Sequence, residues 1–344
     1  MDIQSLAEKF KRRPTDVIGI DISRSEVRAA RIRKNGDSFT LVAVNVLGSI
    51  VSPGGSLDQP ETLVPLILPS KLKAKYASIA LSGKNAVVKI LSIPGAFDDS
   101  AIAKVVDNLN LDNPDEYRIS YKLVVEGHGR SESRAMGVAL PATQVSGVVS
   151  LFHTGVPAPF SVEISGLATM SAFLHGPAAA HENDAVGVMD FGEESSTFAL
   201  FNKNVLALVR RFDVGTSDVL RKVQESLGVD METAQGIISD GSFDISQSVG
   251  EVMDPLVKQL IVSRDFVERR ENCHVSKLYV AGGLVVSKDS LDEIRSSMEL
   301  EVATWNPFDG MNMATDAIPR ELVGQEWRFT AAVGACLATF EETA

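Results

Sequence analysis

The chain has little of what marks a secreted, membrane-spanning or nucleic-acid-binding protein. Its 344 residues include two cysteines, Cys273 and Cys336, too few for a disulfide framework or a metal site, which favours a reducing compartment. No apolar stretch approaches the roughly 20 residues that cross a bilayer. The formal net charge of -12 argues against nucleic acid as a partner, because phosphate binding needs a basic surface. We therefore expect a cytoplasmic protein.

The N-terminal segment is basic but lacks the apolar core of a signal peptide. Ile3, Leu6 and Phe10 share one face of a predicted helix that ends before Pro14. This face could touch a membrane surface or a neighbouring subunit. A short solvated or loosely docked helix is the favoured interpretation of the pattern.

Two apolar runs, each ending in Asp, one spacer and a small residue, stand out. They are VIGIDIS at residues 17–23 and VGVMDFG at 186–192. A buried strand accounts for each run, and the small residue allows a tight turn. Asp21 and Asp190 would then lie at sheet rims, where carboxylates can hold a metal that carries phosphates. Two facing rims would form a phosphate clamp, although either motif alone is also an ordinary strand end.

The order of predicted elements indicates a duplicated α/β lobe with a cleft between the copies. Each motif forms the first of three consecutive predicted strands. A later strand is predicted at KLYVAGGLV, residues 277–285, and ends in Gly282 and Gly283. Paired glycines let backbone approach a ligand at a helix N-terminus. Ligands of such sheets bind beyond the strand ends, where both aspartates fall.

The predicted domains follow from this order. The first lobe takes residues 1–80 and 154–180, with a C-terminal helix at 328–341 packing back on it. An α+β subdomain at 81–153 is inserted in the first lobe. The second lobe takes 184–327 and includes a helical subdomain at about 216–265. A helix is also predicted around 61–68, Asp230 is a predicted N-cap, and Pro255 should start or bend the helix in which it lies.

These motifs resemble those of the actin-like ATPases and, within that group, the PilM family of type IV pilus assembly proteins, itself similar to FtsA. The resemblance extends over 16–338, and the order and spacing of its segments carry it. The segments are GIDISRSEVRAARI, LDNPDEYRISYKLV, DFGEESSTFALF, RRFDVGTSDV, ESLGVDMETAQ, KLYVAGGL, WNPFDGM and FTAAVGACLATF. It implies an actin-like α/β fold of two lobes with an α+β subdomain inserted in the first.

The resemblance also implies ATP and Mg²⁺ in the cleft. Asp21 and Asp190 would approach the metal through water. The phosphates would meet Ser23, Arg24, Gly192, Glu193, Ser195 and Ser196. The nucleoside side would comprise Gly215, Thr216, Gln235, Gly282 and Gly283. No catalytic residue is assigned.

Several positions depart from the family pattern. Ser23 replaces a glycine beside the phosphates. Gln235 and Ile238 replace an acid and a lysine that would grip ribose and base. Ser165 stands where related ATPases have a polar residue that orients the attacking water, and a serine is a poor substitute. The sequence therefore predicts weakened ATP binding and faded hydrolysis.

The favoured function is a cytoplasmic scaffold that reaches the inner membrane only through a partner. The resemblance implies that it binds the N-terminal cytoplasmic peptide of a PilN-like inner-membrane protein, and contacts other pilus assembly proteins. An extended peptide would lie in a groove between the insertion and the first lobe, beside the insertion strands at 87–93 and 117–125.

Two alternatives remain open. An active actin-fold ATPase or small-molecule kinase could share this fold, but a sugar kinase should show a further catalytic aspartate, and none stands out. An FtsA-like filament former would carry an amphipathic C-terminal anchor, and the acidic end at 341–344 disfavours one.

Overall fold

Three β-sheets organise the computed structural model, which describes residues 14–83, 85–127, 131–152, 155–241, 243–283 and 288–341. The strands are β1 (Asp16–Ile22), β2 (Glu26–Asn35), β3 (Ser38–Gly48), β4 (Tyr76–Leu81), β5 (Val87–Pro94), β6 (Tyr117–Val125), β7 (Glu132–Pro141), β8 (Ala158–Ile164), β9 (Ala185–Phe191), β10 (Ser196–Asn202), β11 (Val205–Phe212), β12 (Val275–Gly282), β13 (Glu301–Ala303) and β14 (Asn312–Met313). The α-helices are α1 (Asp99–Asn108), α2 (Ala142–Ser150), α3 (Ser165–His175), α4 (Thr216–Leu227), α5 (Met231–Asp240), α6 (Ser246–Glu271), α7 (Lys288–Met298) and α8 (Thr330–Glu341).

Two of the sheets share one topology. The first has the order β14-β3-β2-β1-β4-β8, and the second has the order β11-β10-β9-β12-β13. In each, an antiparallel three-strand unit is followed by a strand parallel to its first member, β4 beside β1 and β12 beside β9. Asp21 and Asp190 are the penultimate residues of β1 and β9. The repeat therefore brings both aspartates to equivalent sheet ends.

The third sheet, β5-β7-β6, is covered differently on its two faces. On one face, Ala101 and Val105 of α1 form a small buried core with Ile93 and Ala135. On the other, Val88, Ile90 and Met136 pack against the buried apolar cluster of β9, β10 and β11. This sheet therefore contacts the second sheet directly.

Helices α3 and α8 lie between the two larger sheets at unusually short separation. A Cβ atom on Gly334 of α8 would lie 1.7 Å from the carbonyl oxygen of Ala168 in α3. A Cβ on Gly19 of β1 would lie 1.8 Å from the carbonyl oxygen of Ala332. Any larger residue would force the backbones apart, so these glycines permit the packing.

One local prediction is wrong. The helix expected at 61–68 is a single 3₁₀ turn, Pro60–Thr62, followed by extended chain. Pro65 and Pro69 explain this, because proline removes a helical donor and biases the residue before it towards extended backbone. The helix predicted to start or bend at Pro255 begins at Ser246 and runs through the proline, which excludes the start. Its buried apolar face compensates for the missing hydrogen bond.

The predicted N-cap is confirmed, since the Asp230 carboxylate accepts a hydrogen bond from the Thr233 backbone N–H. The apolar face of Ile3, Leu6 and Phe10 lies outside the described residues. Among the helices that the structure describes, none is long and apolar enough to cross a membrane.

Candidate functional site

A cavity of about 580 Å³ lies between the two larger sheets, within the size range of ligand sites. Most of the predicted site residues line it. These are Asp21, Ser23, Asp190, Gly192, Glu193, Ser195, Thr216, Gln235, Gly282 and Gly283. Arg24, Ser196 and Gly215 are outside this lining.

Asp21 is buried and already has two partners. The Arg28 guanidinium donates to its Oδ2 at 3.0 Å, and the Ser165 hydroxyl donates to its Oδ1 at 2.6 Å. A cation that approached this carboxylate would share it with Arg28. Direct coordination is therefore disfavoured, whereas contact through water remains compatible with both bonds.

Asp190 is 8% exposed and accepts a hydrogen bond from the Thr169 hydroxyl at 3.1 Å. Burial, with the negative charge of Asp21 added, raises its pKa to about 7. Desolvation disfavours the ionised carboxylate, and a neighbouring anion does so further. Near neutral pH this group is therefore protonated part of the time.

Ser23 lies in the turn between β1 and β2. Its hydroxyl donates to the Glu26 carbonyl oxygen at 2.9 Å, and its backbone N–H donates to the same oxygen at 3.1 Å. The side chain thus completes the turn, and its hydroxyl proton is not available to a phosphate in this arrangement.

The turns of the two sheets touch across the cleft. The backbone N–H and the hydroxyl of Ser25 both donate to Oε2 of Glu193, each at 3.0 Å. Arg24, which is half exposed, lies 3.9 Å from Glu194. The Ser195 hydroxyl donates to the Ser82 carbonyl oxygen at 3.1 Å. These contacts hold the predicted phosphate turns against each other.

Ser196 and Gly215 do not line the cavity but support the residues that do. The Ser196 hydroxyl is buried and donates to the Val214 carbonyl oxygen at 2.5 Å. A Cβ on Gly215 would lie 2.2 Å from the Glu193 carbonyl oxygen. The glycine therefore permits a close backbone contact that positions Glu193.

In the described part of the chain, the residues of α4, α5 and the start of α7 that line the cavity are uncharged. Gln235 and Ile238 line it, as the family comparison of these positions anticipated, together with Val219, Leu220, Ser239, Gly283 and Ser290. A base placed here would meet apolar and neutral polar side chains and no ion pair.

Sequence reasoning missed several residues of the cavity. Arg28 could have been found, because a turn at 23–25 pairs Asp21 with Arg28 in the β1–β2 register. Thr169, which lies beside the cavity, and Trp327, which lines it, carry no such signal. Their positions depend on how α3 and the segment before α8 pack.

The side chains fit a magnesium-bound nucleotide in part. Hydroxyls, the guanidinium groups of Arg28 and Arg328, and four carboxylates face one cavity of suitable size; the carboxylates belong to Asp21, Glu26, Asp190 and Glu193. Among the described residues, His, Cys, Asp and Glu form no cluster of three or more that could hold a metal. Mg²⁺ keeps several waters and needs few carboxylates, so a magnesium ion here would be held by Asp21 and Asp190 through water.

Comparison with solved structures shows the fold. The chain matches the PilM-PilN type IV pilus biogenesis complex with a TM-score of 0.78 and 17% identity, covering 94% of this chain and 98% of that one. This confirms the predicted actin-like α/β fold. EutJ of Carboxydothermus hydrogenoformans matches at TM-score 0.46 and 15% identity, covering 94% of this chain and 90% of that one. MreB 5 of Spiroplasma citri matches at TM-score 0.46 and 11% identity, covering 97% of each chain.

Comparison with protein sequences shows the family. A search of curated proteins gives no significant match. The profile of the family described as type IV pilus assembly protein PilM matches residues 19–340, which is nearly the whole chain. The predicted family is thereby confirmed, and the chain belongs to the PilM family of type IV pilus assembly proteins.

Proposed function

We propose that this chain is a cytoplasmic scaffold of type IV pilus assembly that binds the N-terminal cytoplasmic peptide of a PilN-like inner-membrane protein. Through that partner it would lie at the inner membrane and meet other pilus assembly proteins. The family membership carries the proposal, and the matched solved structure is a complex of PilM with PilN.

In this proposal the three sheets correspond to three parts of the chain. Five strands of the first sheet belong to a lobe of residues 1–80 and 154–180, onto which α8 packs back. The sixth strand, β14, pairs with β3 from within the range proposed for the second lobe. The small sheet belongs to an insertion at 81–153. The second sheet belongs to a lobe at 184–327, with α4, α5 and most of α6 as its helical part. The shared topology of the two larger sheets supports this division.

The peptide would add as an extended segment beside β6. Of the two insertion strands suggested by sequence, β5 packs against the second sheet through Val88 and Ile90. β6 is an outer strand of its sheet, and Tyr121 and Leu123 on it are 40% and 37% exposed. An outer strand offers backbone donors and acceptors to an incoming chain, and neighbouring pockets read its side chains.

Calorimetric titration with the N-terminal peptide of a PilN-like protein tests this. We expect a dissociation constant in the micromolar range or tighter, on the order of −8 kcal/mol or better. Leu123→Asp should weaken binding at least tenfold, since it adds a charge beside the docked peptide. Val262→Asp is the matched control, because Val262 is an apolar residue, 59% exposed, on α6, which is not part of the insertion. Equal loss in both variants, or in neither, would put the peptide site elsewhere.

The cleft would bind ATP and Mg²⁺ weakly in this proposal. The Ser23 hydroxyl donates its hydrogen bond within the turn and not to a phosphate. Gln235 and Ile238 place no charged side chain where the nucleotide base would bind. Thermal unfolding with Mg·ATP measures the affinity, because ligand at a hundredfold excess over the dissociation constant stabilises by about 2.7 kcal/mol. Replacing Ser23→Gly, Gln235→Glu and Ile238→Lys together should strengthen binding.

Steady phosphate release separates the scaffold from the alternative of an efficient ATPase. We expect turnover no faster than that of Asp190→Ala. If wild type releases phosphate steadily and Asp190→Ala does not, the protein is an active ATPase, and the prediction of weakened hydrolysis is wrong.

A further inference from the structure

A second cavity, of about 410 Å³, lies at the end of the first sheet opposite to Asp21. Its volume falls within the range of ligand sites. Its large apolar side chains are those of Phe39, Trp305, Met311 and Leu337. Among the described residues, none lines both this cavity and the one between the two larger sheets.

The lining of the second cavity joins three parts of the fold. Phe39 lies near the start of β3, His175 ends α3, and residues 305–311 belong to the connection between β13 and β14. β13 is a strand of the second sheet and β14 a strand of the first. A segment bound here would therefore brace the chain where it passes from one larger sheet to the other.

The chain enters the described structure beside this cavity. Pro14 is buried, and β1 begins two residues later. The Lys34 backbone N–H donates to the Thr15 carbonyl oxygen at 2.9 Å, and the Lys34 ammonium lies 5.7 Å from the centre of the Phe39 ring. Only β2 separates β1 from β3, so the start of β1 lies about 10 Å from that of β3. Residues 1–13 precede this point, and a helix of that length would span about 20 Å, which brings the cavity within its reach.

Residues 1–13 carry side chains that suit this cavity. Ile3, Leu6 and Phe10 share one face of a predicted helix. The same segment has two acidic residues and four basic ones, which are Lys9, Lys11, Arg12 and Arg13. The described lining of the cavity includes the carboxylate of Asp309 and no lysine or arginine. Apolar surface and charge are therefore both complementary.

We propose that residues 1–13 dock as an amphipathic helix in the second cavity of their own chain, with their apolar face against its lining and their basic residues towards Asp309. The docked state is stabilised by burial of an apolar face that a solvated helix would expose to water. Docking is separate from the nucleotide and peptide sites proposed above and does not depend on either.

Hydrogen exchange of the full chain tests whether the apolar face is docked. Phe10→Asp and Ser5→Asp each add one negative charge, but Ser5 lies off the apolar face of the predicted helix. We expect the amides at 3–10 to lose protection about tenfold or more in Phe10→Asp, the factor that corresponds to one lost buried aromatic side chain. Ser5→Asp should exchange like wild type. Equal protection in Phe10→Asp and Ser5→Asp would overturn the proposal.

The charge of Asp309 tests whether the segment lies in this cavity. Asp309→Lys places a cation where the basic residues would dock, and we expect the protection of residues 3–10 to fall. Asp112→Lys is the matched control, because it makes the same change of charge on an exposed residue between α1 and β6. Equal protection in these two variants would put the segment elsewhere, and the proposal would be wrong.

Trp305 gives an optical readout of the same docking. The chain has two tryptophans, so Trp327→Phe leaves only Trp305. In that background, acrylamide should quench Trp305 more strongly after Phe10→Asp than after Ser5→Asp, and equal quenching would contradict docking in this cavity. Shielding of Trp305 that fades on dilution, together with dimers in sedimentation, would place the segment on a second copy and overturn docking within one chain.

Discussion

Ser165 and Thr169 lie one turn apart on α3 and bind the two cleft aspartates, one from each larger sheet. The Ser165 hydroxyl donates to Asp21 at 2.6 Å, and the Thr169 hydroxyl donates to Asp190 at 3.1 Å. Residues four apart on a helix share one face. A single helix therefore sets the relative position of both carboxylates.

Removing the first of these hydroxyls should destabilise the fold. Ser165→Ala leaves a buried Asp21 oxygen without its partner, which costs about 1–3 kcal/mol. Ser171→Ala is the control on the same helix, because its hydroxyl bonds only a carbonyl of α3 at 3.4 Å. Urea unfolding of both variants measures the difference, and equal midpoints would show that the Ser165 bond contributes nothing.

The pairing of Asp21 with Arg28 predicts strong coupling between two substitutions. Asp21→Ala leaves the partly buried guanidinium with Glu26 alone, and removing one partner of such a pair typically costs about 3–5 kcal/mol when buried. The double variant Asp21→Ala, Arg28→Met should recover much of this loss. A double-mutant cycle from chemical denaturation gives the coupling, and simple additivity would argue against the ion pair.

The raised pKa of Asp190 predicts a change of stability with pH. Its ordinary value is 3.8, and in the fold it is about 7. Below pH 4 the group is protonated in both states and costs nothing. Between pH 4 and 7 the unfolded chain ionises first, so this group lowers the free energy of unfolding as pH rises, and the effect is complete above 7.

Asp190→Asn removes that titration. The variant should gain stability relative to wild type between pH 4 and 7, with the difference constant at higher pH. Thermal or urea unfolding across this range measures it. Parallel stability curves for the two proteins would mean that Asp190 titrates normally.

The α3–α8 contact predicts opposite outcomes for two glycine substitutions in helices. Gly334→Ala places a Cβ 1.7 Å from the Ala168 carbonyl oxygen, and such overpacking costs about 1–3 kcal/mol or more. Gly236→Ala in α5 meets no atom within 4 Å and should stabilise by up to about 1 kcal/mol through helix propensity. Melting temperatures of the two variants decide the point, and a neutral Gly334→Ala would show that α8 can shift.

The central strands and their aspartates were predictable because they depend on short apolar runs. β1 and β9 are buried along almost their full length, as continuous β-branched runs indicate. Arg28 was within reach of the same reasoning, since a turn at 23–25 fixes its register with Asp21. The helix predicted at 61–68 does not form, because Pro65 and Pro69 remove helical donors and favour extended backbone in the residues before them.

The sequence by itself determined the strand ends, the family and the order of the parts, all of which are local or sequential properties. Only the tertiary structure decided which side chains meet. Thr169 reaches Asp190 and Gly334 lies against Ala168 because α3 is packed between two sheets. Ser25 reaches Glu193 because the turns that follow β1 and β9 meet across the cleft. Such contacts depend on the packing of elements far apart in the chain, and no periodicity within one element encodes the distance between two.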